Sequence, residues 1–223
     1  MMAGTILMAM TVWYVPGWMR TDALRPELAT CISNVFPDAR IAFKGWDGDR
    51  VVWPYAVDSA DKTAWRLAFE AAMLPKEERE NLVIVGHSLG ARITARVLAR
   101  LGEHGFKVRE GLLLAAAIPN DDPDLVRMGA GSALPVVSVR NPQDVTLRYA
   151  YRLAGGEAAV AFGARGAVCP LENFDERTVP EGFTKEVEID KAWGKVQLLK
   201  DIANHHDIFY FEYLKRVLDG RRQ

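Results

Sequence analysis

Residues Val83–Ile93 read VIVGHSLGARI: an apolar run, a serine between two glycines, then a stretch of helical spacing. Val83, Ile84 and Val85 alternate with no polar residue, as in strands covered on both faces. His87, Ser88, Leu89 and Gly90 follow at once, so the chain passes from strand to helix through one sharp corner. Small residues at such a corner serve any tight turn. They serve equally a nucleophilic serine held in an unfavourable backbone conformation, because Gly86 and Gly90 remove side chains that would crowd it. The bare pattern Gly-x-Ser-x-Gly arises by chance in roughly one chain of this length in fifteen. The buried strand before it and the helix after it make coincidence much rarer. A helix starting at Leu89 also aims its dipole and free N–H groups at charge building on a substrate oxygen.

Working outward from the corner, short apolar runs bounded by Gly and Pro alternate with segments of helical period. The pattern predicts strands near Thr5–Val15, Ala39–Trp46, Leu82–Gly86, Gly111–Ile118, Leu134–Arg140 and Lys185–Ile189. It predicts helices near Leu24–Val35, Ser59–Leu74, Leu89–His104, Val145–Leu153 and Asp207–Leu218. Runs such as LVIV, LLLAAAI and LPVVSV are apolar throughout. Strand–helix alternation of this kind predicts an α/β fold: a six-stranded, mostly parallel open sheet with helices on both faces. Ligands of such sheets sit beyond the carboxyl ends of the strands.

The chain of 223 residues is expected to form one domain, 1–223, with ordinary globular composition: 49% hydrophobic and 26% charged. A net charge of −1 and a sequence pI near 6.4 offer no basic field for nucleic acid or an anionic membrane. Cys31 and Cys169 have no metal-ligand spacing and read as reduced thiols of a cytoplasmic protein. The apolar start MMAGTILMAMTVWYV lacks a positive leader region and a cleavage site, and is too short to span a bilayer. It reads as a buried strand ended by Pro16-Gly17, with no membrane insertion expected.

An elbow serine needs a base, and the base needs an orienting acid. In chain order such elbows are followed by the acid and then the histidine. Asp144, in the turn NPQD after LPVVSVR, is the preferred acid, and it doubles as a candidate N-cap of VTLRYAYRL. Asp121, Asp122 and Asp124 compete from one strand earlier, although Asp122 reads as an N-cap ahead of Pro123. Of four histidines, His87 sits inside the elbow and His104 ends its helix, leaving His205 and His206 in NHHDIFYFEYL. If Asn204 caps the last helix, the stripe Tyr210, Phe211, Leu214, Val217 and Leu218 defines its buried face. At about 100° per residue His206 falls on that face and His205 opposite, which favours His206. The oxyanion donors are expected at the backbone N–H of Leu89 and of Trp18 in VWYVPGWMR, with Gly17 permitting close approach. Gly17, Trp18 and His87 are the candidate substrate-binding residues. Arg92, Arg96 and Arg100 read as a solvated helix face.

YVPGW, VGHSLGA, RNPQD and NHHDIFYF together resemble the α/β-hydrolase superfamily, specifically small bacterial esterase- and lipase-like serine hydrolases, over nearly the whole chain. The resemblance implies a minimal α/β-hydrolase fold without the usual leading β-hairpin. It implies hydrolysis of a small-molecule ester through an acyl-enzyme, without metal or organic cofactor. Many relatives carry His-Gly where this chain has Pro16-Gly17. Were the last helix to begin at Asp207, the motif His, any residue, Asp, aromatics would favour His205 instead. The Trp46–Tyr55 loop and residues 155–182, a small cap or pocket wall, are the candidate substrate surfaces. A thioesterase or amidase with the same triad, or a binding protein that keeps the fold without turnover, are the other readings.

Overall fold

The computed structural model describes residues 9–18, 23–48, 52–151, 160–181, 183 and 205–221. Along them run β1 (Thr11–Val15), α1 (Pro26–Val35), β2 (Arg40–Phe43), α2 (Trp53–Met73), α3 (Lys76–Glu80), β3 (Leu82–His87) and α4 (Leu89–Glu103). There follow β4 (Glu110–Leu114), α5 (Pro123–Arg127), β5 (Val136–Arg140), α6 (Phe162–Arg165), β6 (Phe174–Thr178) and α7 (Asp207–Arg221).

The strands form one sheet in the order β2-β1-β3-β4-β5-β6, and every neighbouring pair is parallel. Its central strands are apolar because both faces are covered: Leu82, Val83, Ile84 and Val85 are fully buried, as are Leu112, Leu113 and Leu114. Burying each such side chain contributes about 1.5–3 kcal/mol. Helices α1 and α7 pack on each other, and α2, α4 and α5 form the second packed group. Winding runs outward from β1 to β2, then back past β1 to β3 and on to β6. The direction thus reverses between β1 and β3. In open α/β sheets the ligand crevice lies at that reversal, beyond the strand ends. Gly17 follows β1 and Ser88 follows β3, so both stand at the crevice.

Five of the predicted strands overlap β1 to β5, with residues 5–8 of the first lying outside the described residues. The sixth does not. Among the described residues the edge strand beside β5 is Phe174–Thr178, whose sequence FDERT has no apolar run, since an edge strand faces solvent and is blunted by charge. The predicted strand at Lys185–Ile189 lies outside the described residues. Within the stretch read as a cap or pocket wall, residues 160–181 are built into the fold: they supply β6, and Phe162, Gly163 and Ala164 are buried. Helix α2 starts six residues before the predicted Ser59, since Pro54 in its first turn is compatible with a helix.

The arginines of α4 also depart from expectation. Arg92 is only 6% exposed and its Nε lies 3.3 Å from Asp61 on α2. Arg96 pairs with Asp61, with Asp122 at 3.3 Å and with Asp124 at 3.4 Å. Helices α2 and α5 cover this face, and cations so buried require paired carboxylates. Arg100 lies over the Trp65 ring at 4.2 Å. Cys31 and Cys169 are not joined to each other. Burial, and then the Glu212 and Asp207 charges, push the Cys31 thiol up to about 11. Among the described residues no helix is long and apolar enough to cross a membrane.

Candidate active site

Ser88 stands between β3 and α4 with φ 55° and ψ −119°, a conformation that L-residues adopt only under constraint. The constraint is visible. Its N–H donates to the Leu114 carbonyl at 2.9 Å, and its carbonyl accepts from Ala117 at 3.1 Å and Ala91 at 3.0 Å. A Cβ on Gly90 would come within 2.1 Å of the Val15 carbonyl oxygen, and one on Gly86 within 2.3 Å of the Gly90 carbonyl oxygen. Both elbow glycines are therefore sterically required. Leu89 is the first residue of α4, where backbone N–H groups have no partner within the helix.

His205 spans the gap between Ser88 and Asp144. Its Nε2 lies 3.0 Å from Ser88 Oγ and its Nδ1 lies 2.7 Å from Asp144 Oδ2. A carboxylate only accepts, so Nδ1 carries the proton of this bond; in the neutral ring Nε2 then presents its lone pair to the serine hydroxyl. Asp144 is fully buried, and its charge is satisfied by three donors. They are His205, the Leu147 N–H on Oδ1 at 3.0 Å, and the Tyr210 hydroxyl on Oδ2 at 2.8 Å. Asp144 thus accepts from the first turn of the helical segment Thr146–Ala150 and from the imidazole at once. Burial first, then the Asp144 charge and hydrogen bond, raise the Tyr210 hydroxyl well above its ordinary value, so it stays a donor.

The structure brings His205, and not the expected His206, to Ser88 and Asp144. Helix α7 begins at Asp207, so both histidines precede it and the helical phase does not apply. His206 Nδ1 turns to Asp207 Oδ1 at 2.8 Å, and its Nε2 lies 3.5 Å from Arg25. Asp207 itself accepts from Tyr14 at 3.1 Å and Arg25 at 2.9 Å. The competing acids lie in the arginine network: Asp122 caps α5 through the Asp124 N–H at 2.9 Å and meets Arg96, as Asp124 does. Asp121 is exposed, and so is His104 at the far end of α4.

Gly17 sits against Ser88: a Cβ there would be 3.0 Å from Ser88 Cβ and 3.1 Å from His87 Nδ1. Trp46 Nε1 donates to the Pro16 carbonyl at 2.8 Å and anchors this loop from the segment after β2. Trp18 packs edge-on against Trp53, and Trp53 against Tyr151, each with ring centroids 5.4 Å apart. The aromatic wall so formed runs from the loop after β1 to the turn that carries the acid. His87, named above with the substrate-binding residues, is instead 3% exposed and lies 2.8 Å from the His205 carbonyl through Nε2. Sequence reading also placed Tyr210 only in an apolar stripe; its hydroxyl partner was not visible there.

A family model described as the alpha/beta hydrolase family matches residues 14–199. The chain belongs to that family. No curated protein matches it. Among solved structures, this α/β hydrolase is similar in fold to Est1E from Butyrivibrio proteoclasticus, at 11% identity and TM-score 0.50, covering 98% of this chain and 90% of that one. It is similar also to a provisionally assigned dienelactone hydrolase from Klebsiella pneumoniae, at 12% identity and TM-score 0.51, covering 96% and 88%. At these identities the likeness is one of fold. Family membership supports a hydrolase.

Proposed function

We propose that this α/β hydrolase cleaves small carboxylic esters through an acyl-enzyme, with Ser88 as nucleophile, His205 as base and Asp144 as orienting acid. The observation that carries the reading is the His205 imidazole, within hydrogen-bond reach of Ser88 Oγ on one side and Asp144 on the other. Ser88 Oγ bonds to the ester carbonyl carbon while its proton passes to His205 Nε2. The imidazolium formed faces the buried Asp144 carboxylate, which stabilises it without taking the proton. The tetrahedral oxyanion is held by the N–H groups of Leu89 and Trp18, each worth about 3 kcal/mol where such donors have been removed. Collapse breaks the carbon–alkoxy bond, and His205 Nε2 returns the proton to the departing alcohol. Water then attacks the acyl carbon, giving its proton to His205, and release of the acid restores Ser88.

The substrate is read as a small-molecule ester with an apolar portion, because the Trp18–Trp53–Tyr151 wall borders the oxyanion loop. A panel of p-nitrophenyl esters of rising acyl length, run beside matched thioesters and anilides, tests this. Ester turnover that is strongest for short chains supports the reading. Faster turnover of the thioester or anilide would reassign the leaving-group class with the same triad.

A further inference from the structure

We propose that His87 is a positioning residue that ties the base to the nucleophile strand, an inference that rests on reading Ser88, His205 and Asp144 as a working triad. His87 is the last residue of β3 and the immediate neighbour of Ser88. The elbow demands glycine at 86 and 90 and leaves position 87 free of any such steric rule, so a buried histidine there has another task. Its Nε2 lies 2.8 Å from the backbone carbonyl of His205. A carbonyl only accepts, so His87 Nε2 carries the proton and donates it. The ring also lies against those of His205 and Tyr210, with centroids at 5.0 and 5.9 Å.

His205 needs such a contact. It stands two residues before α7, outside that helix's own hydrogen-bond ladder. Downstream, Asp207 is fixed by Tyr14 and Arg25. At His205 itself, the ring meets Ser88 and the carbonyl meets His87, two consecutive residues of one strand end. Base and nucleophile are thereby held to the same point of the sheet. Without the His87 donor, the His205 carbonyl is left unpaired in a largely buried setting, which favours rotation of its peptide toward water. A displacement of about 1 Å between reacting groups costs on the order of 10²-fold in rate.

The test compares His87→Phe, which keeps a ring without the donor, with His87→Gln, which restores an N–H near the Nε2 position. In the 223-residue protein the readouts are kcat and KM on a p-nitrophenyl ester, the rate of fluorophosphonate acylation, and hydrogen exchange of the peptide spanning 205–210. His87→Phe is expected to lower kcat and acylation about 10–100-fold with KM within about 2-fold, and to speed exchange, while His87→Gln recovers most of each. Wild-type acylation rates in His87→Phe, or equal losses in both variants, would overturn the proposal in favour of simple packing. If the wild type proves inert to esters and fluorophosphonate, the hydrolase reading fails alone when exchange still separates the two variants. If exchange does not separate them, both fail.

Discussion

The Tyr210 hydroxyl donates to Asp144 Oδ2 at 2.8 Å, the same oxygen that meets His205 Nδ1 at 2.7 Å. One buried carboxylate oxygen thus links the last helix, the turn after β5 and the His205 ring. The tyrosine satisfies a charge that has no access to water, and it fixes the direction from which that charge meets the imidazole.

Tyr210→Phe keeps the packing and removes this donor. A hydrogen bond to a buried charged group is worth about 1.5–3 kcal/mol, so urea denaturation at pH 7 should show a loss of that order. The loss should shrink in alkali. The folded-state Tyr210 value is raised above its ordinary 10, so its contribution is complete below pH 10 and is lost as pH rises through the higher folded value. Wild-type stability should fall more steeply than that of the variant above pH 10. A stability difference that stays constant with pH would contradict the assignment.

Asp144→Asn leaves the shape of the turn but lets the imidazole take the wrong tautomer. A fall in kcat of up to about 10⁴-fold is expected. Asp122→Ala, by contrast, removes the cap of α5 and a partner of Arg96. It should cost about 0.5–2 kcal/mol in stability and leave kcat within a few-fold. The reverse pattern would move the acid to the loop after β4.

The two adjacent histidines should separate cleanly. His205→Ala should lower kcat by several orders of magnitude, because proton transfer from Ser88 loses its acceptor. His206→Ala removes contacts to Asp207 and Arg25 and should leave turnover within a few-fold. Steady-state kinetics on one ester decides it; equal mild losses would remove both from the reaction.

Much of this is legible in the sequence. The elbow, the strand–helix alternation and the turn position of Asp144 are local signals, written in residues that neighbour one another. What the sequence hides is set at a distance. The start of α7 at Asp207, which decides between His205 and His206, depends on Tyr14 and Arg25, 193 and 182 positions away in the chain. The pairing of Arg92 and Arg96 depends on where α2 and α5 pack, and periodicity alone reads the same residues as a solvated face. β6 escapes notice because a charged edge strand needs only a neighbour to pair with, and Val136–Arg140 supplies it. His87 and Tyr210 look like an elbow filler and a core aromatic until their polar atoms find His205 and Asp144.

The central claim is that Ser88 is the nucleophile, and covalent labelling addresses it without knowledge of the substrate. The intact protein is treated with a fluorophosphonate, digested, and the adduct located by mass spectrometry, beside a Ser88→Ala variant shown by circular dichroism to be folded. The account predicts one adduct, on Ser88, and neither adduct nor esterase activity in the variant. An adduct on a different serine, or full activity in Ser88→Ala, would contradict it.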